Sequence, residues 1–126
     1  MKIKTSELKD AALDWAVAKA EGGTHFWSDG VATHWIKLRG EDRALSGGWA
    51  QSYLPSTIWS QGGPIIEREA ITVSQGSPVK GLEWMACDAG STHVQHGPTY
   101  LIAAMRCYVA SKLGDEVDVP DELCQA

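Results

Sequence analysis

Apolar positions change their spacing along the chain. Leu8, Ala11, Ala12, Trp15 and Ala16 recur at the i, i+3, i+4, i+7, i+8 interval of one helical face. Thr5 or Ser6 suits the cap, Glu7 suits the positive end of the dipole, and Gly22-Gly23 suits the stop. The pattern predicts an amphipathic N-terminal helix with Asp10, Asp14 and Lys19 mainly on the solvated side. From Gly22 onward the runs become short and aromatic. Residues 24–27 and 31–38 read as strands around Ser28-Asp29-Gly30, where Asp-Gly suits a hairpin turn. Residues 40–56 hold Gly47-Gly48 and Pro55 and read as a long loop, which by its length is either functional or mobile. Residues 65–73 are β-branched at both ends and predict a strand, 75–78 a turn, and 82–86 a further strand. Pro98 then opens a helix over 100–113 with Arg106 and Lys112 as its only charges, closed by Gly114. Being apolar on nearly every face, that helix is expected at the centre of the core. The predicted fold is α+β, with a small, mostly antiparallel sheet packed against the buried C-terminal helix. Residues 1–114 are expected to form a single domain and 115–126 an acidic tail.

Length and charge narrow the partners. A chain of 126 residues and 13.6 kDa can bury a core without metals or disulfides. No apolar run approaches the ~20 residues that span a bilayer, so no membrane partner is expected. The basic start, MKIKTSELKD, leads into no apolar stretch, so no signal peptide is expected. The three cysteines, Cys87, Cys107 and Cys124, are odd in number and fit a reducing cytoplasm. The net charge is -5, and residues 115–126 carry five acids and no base, so the preceding body is neutral. A body without a basic face argues against double-stranded nucleic acid as a partner.

The candidate chemistry is sparse. His93 and His96 lie near Cys87, but a second compact ligand pair is missing, and no metal is expected. Cys87 and Cys107 lack the local signature of a cysteine nucleophile. Glu67 and Glu69 would share one face of a strand, and a solvated or ion-paired pair is favoured over acid–base work. The paired glycines match neither a Walker A loop nor a dinucleotide fingerprint. The expectation is therefore a protein without cofactor or catalytic role. Six tryptophans are unusual in so short a chain. Trp15 and Trp84 fit core positions. Trp27, Trp35, Trp49 and Trp59 sit near Gly, Ser or Asp; any single one is expected to pack a small β-core, and as a group they are expected to leave at least one indole exposed to stack on a base or sugar or anchor a protein. Amides around Pro98-Thr99-Tyr100, at the start of the last helix, could hold an anion.

Two blocks carry a resemblance. One is W-S-Q-G-G-P-I-I-E-R-E at 59–69, and the other is G-P-T-Y-L-I-A-A-M-R-C-Y-V-A-S-K-L-G-D-E-V at 97–117. With A-L-D-W-A-V-A at 12–18, they resemble the NinX-like family of small, uncharacterised bacteriophage and prophage proteins. The resemblance covers nearly the whole chain and is weakest over 22–56. It implies a phage or prophage origin and a location in the cytoplasm of the infected bacterial host. Genes of this type tend to be accessory, serving DNA metabolism, regulation or the countering of host defence. The resemblance supplies no catalytic residues.

The first block sets a ring, a bare backbone and a charge pair side by side, the makings of a small-ligand site. The candidate ligand-binding set is Trp59, Gln61, Gly62, Gly63, Glu67 and Arg68, with Thr99 and Arg106 from the last helix. If the start of that helix faces the same pocket, its amides could take a phosphate while Trp59 stacks on a base. The first expectation, by analogy with small phage proteins that sequester host signals, is a non-enzymatic anti-defence protein. It would bind and hold a small phosphorylated, nucleotide-type immune signal, with a homo-oligomer expected. The alternative is an interaction module that binds a host or phage protein.

Overall fold

A computed structural model describes residues 1–28, 33–45 and 52–123. In chain order the elements are β1 (Lys2–Lys4), α1 (Asp10–Ala20), β2 (Thr24–Ser28), β3 (Thr33–Leu38), β4 (Glu41–Ala44), α2 (Trp59–Glu69), β5 (Thr72–Gln75), β6 (Trp84–Cys87), β7 (Val94–Gly97), α3 (Tyr100–Leu113) and β8 (Glu116–Asp118). Among the described residues the strands form three small antiparallel sheets, β1–β8, β2–β3–β4 and β5–β6–β7. The class is α+β, as expected. In chain order α2 stands between the strands of the β2–β3–β4 sheet and those of the β5–β6–β7 sheet.

α3 is the centre of the core. Leu101 and every residue from Ala103 to Ala110 are buried, and the helix packs on β5, β6 and β7 as well as on α1 and α2. Thr99 caps it by accepting a hydrogen bond from the Ile102 amide at 3.1 Å. β7 approaches so closely that a Cβ on Gly97 would come within 2.7 Å of the Ala103 nitrogen, so only glycine fits there.

α1 starts later than the pattern predicts. Thr5–Glu7 forms a separate 3-10 turn, and the Thr5 hydroxyl donates to the Gly114 carbonyl at 2.6 Å instead of capping a helix. Asp14 is not on a solvated side; it is 2% exposed, because α1 is covered both by α3 and by the β2–β3 hairpin. The predicted hairpin forms, with Thr24 opposite Lys37 and Ser28 opposite Thr33. Its turn, including Asp29, Gly30 and Val31, lies outside the described residues, as do Gly47-Gly48, Trp49 and Cys124. The segment predicted as a loop from residue 40 contains β4, joined to β3 by the two-residue turn Arg39-Gly40. Both turn residues have positive φ, +52° and +81°, the geometry that matches strand twist in a two-residue hairpin.

The strand predicted over 65–73 is largely a helix. α2 runs from Trp59 to Glu69 with Pro64 inside it, and only Thr72–Gln75 is extended. Tertiary packing overrides the β-branched signal here. A Cβ on Gly62 would run into the Pro55 carbonyl and come within 2.9 Å of the Leu101 side chain, so its absence lets α2 lie close on α3. Ala70, at φ +53°, ends the helix in a left-handed cap; the Ala70 amide donates to Glu67 and the Ile71 amide to Ile66. The acidic segment after Gly114 is partly built into the fold. β8 pairs with β1, Val117 and Val119 are buried, and Glu116 and Asp118 beside them face solvent.

Candidate functional site

α2 has a cleft on each flank. The first is apolar, about 320 Å³, and lies between the start of α2 and the start of α3. Trp59, Thr99, Tyr100 and Leu101 line it, with the Ser56 and Thr57 segment along its edge. Trp59 is 57% exposed, although its ring lies 5.0 Å from that of Tyr100. Tyr100 in turn meets Trp84 edge-on at 5.5 Å, so three rings from α2, α3 and β6 form a continuous row. The amides of Tyr100 and Leu101 occupy the first two positions of α3, where a helix offers no acceptor of its own.

The second cleft is polar, about 430 Å³, and lies between α2 and the β3–β4 hairpin. Glu21, Arg39, Arg43, Tyr53 and Arg68 contribute to its wall. Glu21 closes α1 and is only 7% exposed. Arg68 donates to both of its carboxylate oxygens, at 3.1 and 2.7 Å, Arg39 donates at 3.0 Å, and the Tyr108 hydroxyl donates at 2.6 Å. Burial alone would raise the Glu21 carboxyl. The hydrogen bonds from Arg68 and Tyr108 and the charges of Arg68 and Arg39 outweigh it and hold the group below its ordinary value. Hydrogen bonds to Glu21 and Glu69 raise Arg68 in turn, and burial raises the Tyr108 and Tyr53 phenols.

The eight residues singled out from the sequence do not meet in one place. Trp59 and Thr99 share the apolar cleft. Gln61 and Arg68 border the polar one, about half a helical turn round from Trp59. Gln61 is a staple: its Oε1 accepts from the Leu54 amide at 2.6 Å and its Nε2 donates to the Ser52 carbonyl at 2.8 Å. Gly62 serves the α2–α3 approach, while Gly63 faces open space and Glu67 is exposed. Arg106 lies far down α3, where its Nε donates to the Leu8 carbonyl and its NH1 to the His96 carbonyl, each at 2.8 Å. It joins the segment before α1 to β7, and burial lowers its pKa. Glu21, Arg39, Arg43 and Tyr53 were not singled out from the sequence, because three separate segments bring them to one cleft.

The matched family is Bacteriophage P22, NinX, over residues 4–112. The chain belongs to this NinX family. No curated protein matches it. The NinX match runs from the end of β1 almost to the end of α3 and therefore includes both clefts. Among the described residues no helix is long and apolar enough to cross a membrane, and no three His, Cys, Asp or Glu side chains gather as a metal site. The His93 Nδ1 pairs with Asp88 at 2.8 Å, and burial pushes the Cys107 thiol up to about 12, the behaviour of packing rather than of a nucleophile. The chain is thus a phage accessory protein of the NinX family.

Proposed function

We propose that this NinX-family protein binds a small phosphorylated, nucleotide-type ligand in the apolar cleft and holds it without chemistry. One observation carries the reading: an indole left 57% exposed shares a cavity with the first turn of α3. Trp59 and Tyr100 offer ring faces for a base, and the helix-start amides offer donors for an anion. A cavity of about 320 Å³ falls within the range of small-ligand sites. A protein that sequesters a host immune signal in the cytoplasm of the infected cell needs this much and no catalytic group. Sequestering proteins often pair their sites across protomers, so a homo-oligomer accompanies the reading.

Thermal-shift screening against cyclic and ADP-ribose-derived nucleotides tests it. A true ligand at a hundred times its Kd adds about 2.7 kcal/mol to stability. Trp59→Ala should remove that gain while leaving the unliganded melting temperature nearly unchanged, because the ring is mostly outside the core. A gain that survives Trp59→Ala, or no gain with any nucleotide, overturns the reading. The same exposed ring favours a second reading, an interaction module that anchors a host or phage protein. A host protein captured by the wild type and lost in Trp59→Ala, without nucleotide stabilisation, would favour it.

A further inference from the structure

The β5–β6–β7 sheet lies wholly within the described residues, and its two edges differ. The Gly76 amide donates to the Glu83 carbonyl at 2.8 Å and the Asp88 amide to the His93 carbonyl at 3.3 Å. With the register of the three strands, these bonds fix which backbone groups face inward. Thr72 and Ser74 turn their amides and carbonyls to β6. Val73 and Gln75 turn theirs out of the sheet, and among the described residues no hydrogen bond reaches them. On β7 the outward groups belong to Val94 and His96. There the His96 carbonyl accepts from Arg106 at 2.8 Å, and the Thr5–Glu7 turn lies against the strand. One edge is capped and the other is open.

The open edge also lacks the usual protection. Proteins guard an edge with charges, Pro or a covering segment. β1 carries Lys2 and Lys4, β4 carries Glu41 and Asp42, and β8 carries Glu116 and Asp118. β5 reads Thr-Val-Ser-Gln without a charge, and its Thr72, Ser74 and Gln75 are exposed. Val73 packs against the core, so the strand is anchored while its edge is free. The outward groups are also self-complementary. Turned about a two-fold axis at Ser74, the strand sets Val73 opposite Gln75 of the partner subunit and Gln75 opposite the partner's Val73. Each opposed pair exchanges two hydrogen bonds, so every outward amide and carbonyl of both strands finds a partner.

We propose that β5 is a homodimer interface: two copies pair their β5 edges antiparallel and join two three-stranded sheets into one. A second copy fits better than a foreign strand because this register leaves no outward group of β5 unpaired. With no charge on the strand, it also brings no like charges together across the axis. Assembly stops at two, because the β7 edge that would extend the sheet is closed by Arg106. The interface needs no ligand and stands whether or not the apolar cleft is filled.

Sedimentation equilibrium of the full chain without nucleotide, over a dilution series, tests the assembly. A mass that rises to twice that of the monomer and no further is expected. Ser74 meets its own copy in a non-hydrogen-bonded pair, so Ser74→Lys opposes two like charges in the dimer and only adds an exposed side chain to the monomer. It should weaken dimerisation about five-fold with an unchanged circular dichroism spectrum. In such a pair the Cα atoms lie about 4.5 Å apart, within disulfide range. With oxidised glutathione, Ser74→Cys should therefore form a reducible covalent dimer. Thr72→Cys, which faces Gly76 of the partner subunit, should not, and neither should the wild type with its native cysteines. A monomer at every concentration overturns the proposal, as do masses beyond the dimer. So does a dimer that tolerates Ser74→Lys or gives no Ser74→Cys crosslink. Each of these outcomes leaves the nucleotide reading to its own thermal-shift test.

Discussion

The two ends of α2 are both tied to α1 through a buried carboxylate, and the two ties behave in opposite ways. At the leading end Asp14 accepts from the Ser56 amide at 2.9 Å, a neutral partner on the segment that enters the helix. Burial outweighs that hydrogen bond and raises the Asp14 carboxyl to about 7. At the trailing end Glu21 faces two guanidiniums and a phenol and stays ionised. Both side chains are almost fully covered. The difference teaches that burial alone does not decide the charge of an acid; the partners do. The leading end, beside the apolar cleft, is held by a group that titrates near neutrality, and the trailing end, beside the arginine cavity, is held by one that does not.

The largest change would remove both ties at once. Gly62→Val forces α2 off Pro55 and Leu101, and a loss of about 3 kcal/mol is expected, read as a fall in the urea midpoint. Glu21→Gln isolates the trailing end. Breaking a buried ion pair can cost more, but Arg39 and Arg68 are 64% and 45% exposed and can turn to water, so about 2 kcal/mol at pH 7 is expected. The Glu21 value is lowered on folding from 4.5, so its stabilisation is present above the unfolded value and lost as pH falls through the folded one. Glu21→Gln should therefore flatten the acid limb of a stability–pH curve; an unchanged limb would sink the ion-pair account. Asp14→Asn isolates the leading end and has the opposite sign. The folded group keeps a proton that the unfolded chain has released, so wild-type stability falls as pH rises from about 4 to about 7. Asn keeps an acceptor for Ser56 without the charge. A gain of about 1 kcal/mol at pH 8, vanishing below pH 4, is expected by chemical denaturation.

The elements legible in the sequence are those whose local signals agree with their packing. α3 carries Pro98 and Thr99 before it, Gly114 after it and an apolar surface between, and the structure adds only what it packs against. α2 was illegible because its local signals oppose its fate. Pro64 and the Ile65-Ile66 pair speak for a turn and a strand, while the helix is held by Gly62 against α3 and by Arg68 on Glu21, contacts no local pattern contains. β8 was legible in principle. Glu116-Val117-Asp118-Val119 alternates with the period of a strand, but a count of charges read it as tail. At the candidate site, an indole amid small residues made Trp59 visible, and a helix start did the same for Thr99. Arg39, Arg43 and Glu21 stayed hidden because each belongs to a different element and only the fold joins them.

β1 and β8 have a consequence for how the chain folds. Lys2 pairs with Asp118 and Lys4 with Glu116, so this two-stranded ribbon closes a loop that contains α1 to α3 and β2 to β7. Such a contact repays its closure entropy only after the segments between its ends have already condensed. The ribbon is therefore expected to form late, behind the rate-limiting barrier. Weakening it, as in Val117→Ala, should then speed unfolding more than it slows folding, read from the two arms of a denaturant chevron. On that expectation the acidic strand acts as a kinetic latch over the buried Val117 and Val119.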